Sequence, residues 1–206
     1  MDTSAPLLGE PLPVELMNTI WADRDGVHDA LREPAETAAW LRAIAPRLDL
    51  PVAPDLSALT PRDLDQLAQR LRTLRNALRR LAAEATNDPR PAAASATHEL
   101  DDALAAVNEA AGAVPRWSAL TWTPGERPAR LTRTSGPATA AALSAIAEEA
   151  IAMFGREEPI ELRTCQAPGC VLYFLKDHPR REWCSPTCGN RARAARHYQR
   201  HRRTTA

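Results

Sequence analysis

The sequence predicts a mainly α chain, α+β in class: a helical body with one β-hairpin, followed by a small C-terminal module. Three observations predict it. Leu64, Leu67, Leu71, Leu74, Leu78 and Leu81 alternate steps of three and four, the spacing of one helical face. Trp117 to Thr123 (WSALTWT) alternates like a strand, and Pro124-Gly125 can turn it back into Ala129 to Thr134 (ARLTRT). All four cysteines of the 206-residue chain, Cys165, Cys170, Cys184 and Cys188, crowd into 24 positions.

Length and composition bound the rest. A chain of 206 residues, 44% apolar, suffices for one ordinary core and a small appended module. No run approaches transmembrane length, and no apolar signal segment precedes the body. The reading is therefore cytoplasmic, with no membrane partner and with reduced cysteines.

In chain order, residues 1–12 read as a flexible leader and 13–158 as the helical domain. Val14 to Ala22 (VELMNTIWA) reads as a first helix. Asn18 sits beside its apolar stripe, either as a core-edge amide bonded to backbone or as a polar group lining a ligand pocket. Asp23 to Glu33 reads as a charged loop, and Pro34 opens a second helix through Ile44. Residues 46–59 hold three prolines and read as a connector. Thr60-Pro61 caps a long helix to about Ala85, whose leucine stripe reads as an internal bundle seam rather than a dimer coiled coil. Arg70, Arg72, Arg75, Arg79 and Arg80 are expected on its other faces. After a break at residues 87–94, a helix from Thr97 to Ala111 should turn Leu100, Leu104 and Val107 inward. The hairpin follows, and a last long helix should run to Phe154 with Leu143, Ile146, Ala150 and Ile151 on one face.

Residues 159–206 form the module. The spacing C-x4-C, thirteen residues, C-x3-C presents four thiolates to one tetrahedral Zn²⁺. Ala167, Pro168 and Gly169 suit the tight turn of a zinc knuckle. Val171 to Leu175 (VLYFL) should pair with Arg180 to Trp183. Ser185-Pro186 starts a helix whose first turn carries Cys188, where amide dipoles favour thiolate. Knuckle, hairpin and helix describe a treble-clef-like finger. Four Cys ligands leave no position for a catalytic water.

The helix beyond Cys188 reads GNRARAARHYQRHRR, without an acid. Arg193, Arg196, Arg200 and Arg203 recur on one face, with Arg191 and Asn190 at its start. From Ile160 onward ten basic residues stand against three acidic, whereas residues 1–159 hold sixteen against twenty-three. A basic module on an acidic body is the footprint of a nucleic-acid binder. With only one lysine, Lys176, arginine richness alone is a compositional bias; its placement on a metal-anchored helix is the signal. No Gly-rich phosphate loop, His-Glu-x-x-His or nucleophile elbow occurs, so the reading is not an enzyme.

Trp183-Cys184-Ser185 followed by Cys188-Gly189-Asn190-Arg191 resembles the signature of the CGNR zinc-finger proteins. Leu16-Met17-Asn18-Thr19, Ala39-Trp40-Leu41 and Leu71 to Leu78 are similar to segments of the ABATE domain that precedes the finger in that family. Pro186-Thr187 departs from the pattern, which has a Met after the Ser, without touching a cysteine. The resemblance implies a zinc-dependent transcription regulator responding to stress. Three function classes follow. In the first, Asn190, Arg191, Arg193, Arg196, Arg200 and Arg203 contact duplex DNA while the body senses a small-molecule effector or forms a homodimer. In the second, a zinc-stapled adaptor binds RNA or an acidic protein. In the third, oxidation of the thiolates ejects zinc as a redox switch.

Overall fold

The computed structural model describes residues 5–48, 50, 52–90, 97–157 and 161–204, with backbone alone at 53–55 and 201–204. Its long axis is α4 (Pro61–Thr86), which at about 1.5 Å per residue runs for about 39 Å. A capping box starts it: the Asp63 amide donates to Thr60 Oγ1 at 3.2 Å, and the Asp63 carboxylate accepts from the Thr60 amide at 3.1 Å. Asn87, in the left-handed conformation, ends it. Four shorter helices pack against α4: α1 (Leu12–Met17), α2 (Pro34–Ile44), α5 (Leu100–Gly112) and α6 (Ala138–Phe154). Leu71, Leu74 and Leu78 meet Leu16, Met17, Leu41, Ile44 and Ile146 in a core that excludes water. The leucine stripe is thus a seam inside the bundle. No helix among the described residues is long and apolar enough to cross a membrane.

Among the described residues there are also three antiparallel hairpins: β1 (Ile20–Ala22) with β2 (Val27–Asp29), β3 (Arg116–Thr121) with β4 (Ala129–Thr134), and β5 (Leu162–Thr164) with β6 (Tyr173–Leu175). The body therefore holds two hairpins rather than the single one expected. The first helix stops at Met17, five residues short of the expected end, and Ile20–Ala22 pairs with the supposed charged loop. Two forces end it. The Ala30 amide bonds back to the Thr19 carbonyl, and the β-branched and aromatic pair Ile20-Trp21 suits the ladder better than another helical turn.

Other expectations need correction for similar reasons. Leu12 opens α1 and Glu10 is buried, so the described part of the leader, from Ala5, is not a loose end. The proline connector contains α3 (Val52–Ala58), which packs on α2 and α6. On α5 it is Ala103 and Val107 that face the core, while Leu100 and Leu104 are exposed; Ile151 of α6 is exposed too. Arg75 and Arg79, expected on an outer face of α4, are buried. Arg75 grips both carboxylate oxygens of Asp29, at 2.5 and 2.9 Å, and Arg79 points at the C-terminal module.

Candidate metal centre and nucleic-acid interface

The metal centre begins with the reversal between β5 and β6. Gly169 at φ 72° supplies the left-handed residue of the knuckle, and the Cys170 amide bonds the Ala167 carbonyl at 2.9 Å. This turn joins Leu162–Thr164 to Tyr173–Leu175, so the strand VLYFL pairs with the segment upstream of Cys165. The expected partner, Arg180 to Trp183, forms no strand: Arg181 instead folds back to donate to the Leu175 carbonyl at 3.0 Å. The knuckle decides this, because it reverses the chain before the loop at 177–179 has the chance.

The second ligand pair rides on α7 (Pro186–Thr204). Ser185 Oγ accepts from the Cys188 amide at 3.3 Å, the N-cap expected from Ser-Pro. Trp183 lies across the first turn of α7. A Cβ at position 189 would stand 3.0 Å from its ring, so any larger residue there requires the indole to shift by a few tenths of an ångström.

Between the two pairs the sulfurs converge. Cys184 Sγ lies 3.4 Å from Cys188 Sγ, Cys188 Sγ 3.7 Å from Cys170 Sγ, and Cys170 Sγ 3.8 Å from Cys184 Sγ. All four ligand atoms lie within 4.8 Å of one another and all four cysteines are buried. A tetrahedron with metal–sulfur bonds of about 2.3 Å has edges of about 3.8 Å. A disulfide would require about 2.05 Å, and no such bond is present. Hydrogen bonds from Cys170 and Cys184 pull the Cys165 thiol down, while the same contacts push the thiols of Cys170 and Cys184 up. Four thiolates this close ionise together only around a cation, and the size and softness of the cage suit zinc.

Around the cage the structure adds residues that the cysteine spacing did not reveal. Arg90, from the stretch read only as a break after α4, donates to the carbonyls of Cys165 and Cys170, both at 3.1 Å. Asp88, fully buried as a side chain, pairs with Arg90 at 2.7 Å and accepts from the Tyr173 hydroxyl at 3.0 Å. Burial pushes the Asp88 carboxyl up, yet the hydrogen bonds from Arg90 outweigh it and hold it below its ordinary value. Burial likewise pushes the Tyr173 phenol up to about 12. Arg79 donates to Met17 and Val171 carbonyls at 3.1 and 3.5 Å, bridging body and finger. The buried polar string Asp88-x-Arg90 offered no pattern in the sequence that would mark it.

Asn18 belongs to the same seam. Its Nδ2 donates to the Tyr173 carbonyl and its Oδ1 accepts from the Tyr173 amide, both at 2.9 Å. It is fully buried, so the pocket-lining alternative gives way to the backbone-bonded amide. Its backbone partner, however, lies 155 residues away, on the finger.

The basic residues of α7 divide into two sets. Arg193, Arg196 and Arg200 are exposed and line one shallow face with His197 and Gln199. Arg193 reaches Asn190 Oδ1 at 2.5 Å, and the Arg196 guanidinium lies 5.5 Å above the Trp183 ring. Arg191 is turned inward: its Nη2 lies 3.3 Å from Cys188 Sγ, on the metal cage and not on the open face. The side chain of Arg203 lies outside the described residues.

A treble-clef-like cage docked on a helical bundle is matched in both halves by known families. One family model, ABATE, described as "Putative stress-induced transcription regulator", covers residues 10–157. The chain belongs to the ABATE family. A second model, the CGNR zinc finger, follows at residues 161–201 and contains all four cysteines. No curated protein matches the chain. The ABATE body and its CGNR finger thus meet along the seam of Asn18, Arg79, Asp88, Arg90 and Tyr173.

Proposed function

We propose that this ABATE–CGNR chain is a DNA-binding transcription regulator whose zinc finger delivers α7 to duplex DNA. The observation that carries the reading is the open face of Arg193, Arg196 and Arg200 on a helix without an acidic residue, anchored at its start by the cysteine cage. When bound, Zn²⁺ draws Cys165, Cys170, Cys184 and Cys188 into one rigid centre. The chain does the rest. Ser185 fixes where α7 begins, Trp183 and Gly189 fix its roll, and Asn190 steadies Arg193.

A helix fits the major groove, and arginine suits both phosphate and guanine edges. Arg193, Arg196 and Arg200 supply phosphate contacts, with one or two of them reaching bases; Asn190 has an amide that can pair with adenine. Arg191 serves the cage first. One finger buries little surface, so useful affinity requires a second copy or a second contact. The ABATE body is the part that would sense an effector or join two chains in the cytoplasm, and no catalytic role is assigned to it.

The test is the salt dependence of binding to duplex DNA from the gene's own upstream region. Wild type should weaken steeply with salt, and Arg193→Ala/Arg196→Ala should bind more weakly with a slope lower by about two. Binding by neither protein, or salt-insensitive binding by both, would move the reading to the adaptor for RNA or an acidic protein.

A further inference from the structure

Exposed apolar side chains are concentrated in one stretch of the chain. Among the described residues nine large ones are exposed, and five of these lie between Leu100 and Trp122. Leu100 and Leu104 are on α5, 36% and 44% exposed; Trp117, Leu120 and Trp122 are on β3 and its turn, 52%, 75% and 67% exposed. Large apolar side chains open to water on two successive elements give each of them a surface that a partner can cover.

The charges beside these residues have opposite signs on the two elements. Residues 99–113 carry Glu99, Asp101, Asp102 and Glu109 and no basic residue. Residues 116–134 carry Arg116, Arg127, Arg130 and Arg133 against Glu126 alone, on a body that is otherwise acidic. On α5, Asp101, Leu104 and Asn108 share the outward face, because Ala103 and Val107 take the inward one. On the hairpin, Leu120 stands opposite Arg130 in the ladder register and shares its face with Trp122, while Trp117 and Arg133 stand opposite each other on the other face; the face of Leu120, Trp122 and Arg130 is the one offered to α5. Within one chain, Arg116 is engaged by Glu148 of α6, and the described residues show no ion pair from Arg127, Arg130 or Arg133 to the acids of α5. Among the described residues the hairpin has no third strand, and a lone two-stranded sheet is marginal in water.

We infer that a second copy of this chain covers both surfaces: the β3–β4 hairpin of each protomer lies on α5 of the other, in a two-fold dimer. Each surface supplies what the other lacks, apolar area against apolar area and arginine against carboxylate. The two contacts are equivalent by symmetry, which is the arrangement that closes on two copies. Nucleic acid would satisfy the basic hairpin alone. It would leave Leu100 and Leu104 exposed among carboxylates that repel it, so the second copy accounts for more of the surface. The inference deepens the two-copy requirement of the DNA-binding reading, but it is measured without DNA, so either can fail alone.

The experiment is sedimentation of the full zinc-loaded chain over a wide concentration range without DNA. Wild type should be dimeric. Arg127→Glu/Arg130→Glu and Asp101→Arg/Glu109→Arg should each raise the dimer dissociation constant at least about tenfold. Combining all four changes should restore association, because the complementary pairs re-form with signs exchanged. Leu120→Ser, at a side chain open to water within one chain, should also dissociate the dimer without lowering helicity. A wild type that stays monomeric at every concentration overturns the inference, as does a combined variant that remains as dissociated as the two doubles. Monomeric wild type whose DNA affinity falls with Arg127→Glu/Arg130→Glu would assign the hairpin to nucleic acid instead.

Discussion

Arg191 shows how one side chain of a basic run can belong to a different physical task from its neighbours. Along α7 it is one arginine among many, and on charge alone it counts as a DNA contact. Its guanidinium instead lies 3.3 Å from Cys188 Sγ. A cation donating to a metal-bound thiolate withdraws charge from the sulfur and makes it a poorer nucleophile. Arg191→Ala should therefore speed zinc loss to a chromogenic chelator and alkylation of the finger cysteines several-fold, with the salt slope for DNA almost unchanged. Arg193→Ala should do the reverse, lowering the slope by about one and leaving zinc release alone. Comparing the two variants in both assays separates a residue that positions the metal site from a phosphate contact; a slope loss of one for Arg191→Ala would return it to the DNA face.

At the level of elements, α4 carries two kinds of burial on one helix. Leu74 is 1% exposed against the core, whereas Leu64 is only partly buried near the N-terminal end of the same stripe. Leu74→Ala should cost about 2–5 kcal/mol, since the site opens a cavity that the bundle cannot close, and Leu64→Ala clearly less. Urea melts at constant slope would check the difference. A comparable loss at both positions would mean that the stripe is covered at both ends, as in a coiled-coil dimer through α4. The β3–β4 hairpin is the contrasting element: its ladder follows the sequence alternation, but its exposure is a matter of what lies against it.

Across the whole molecule, the finger is built into the body. Tyr173 and Leu162 of the finger belong to the main core, and Asn18, Arg79 and Glu10 bond finger backbone or side chains from the body side. Reading residues 13–158 as a domain of its own implies that the helical part folds by itself. Removing the finger, however, would take both Tyr173 bonds from Asn18 and the Val171 bond from Arg79, which keeps its bond to Met17, and a buried polar group left unsatisfied costs about 1–3 kcal/mol. Zinc chelation should accordingly lower the melting midpoint of the entire chain, and should lower α4 helicity near its C-terminal end as well as unfolding the finger. Circular dichroism with and without chelator, beside a chain ending at Glu157, measures this. Melting of the shortened chain at the full-length midpoint would show that the body stands alone.

Local signals were enough to read the long helix, the β3–β4 hairpin, the four-cysteine cage and the N-cap of α7. Each is set by neighbours within a few residues: the leucine period, Pro124-Gly125, the cysteine spacing and Ser185-Pro186. The exposure of Arg193, Arg196 and Arg200 on α7 is legible in the same way, whereas the inward turn of Arg191 is not. What tertiary structure decided were the partners brought together across the chain. Tyr173 lies 155 residues from Asn18, and Cys165 lies 75 from Arg90. Arginines on α4 read as solvent-facing because charge normally avoids burial. They became interior because carbonyls and carboxylates from distant segments offered them hydrogen bonds. The end of α1 at Met17 and the choice of β5 as the partner of β6 have the same origin. A local preference states what a segment can form, and the energy of a distant partner determines which form it keeps.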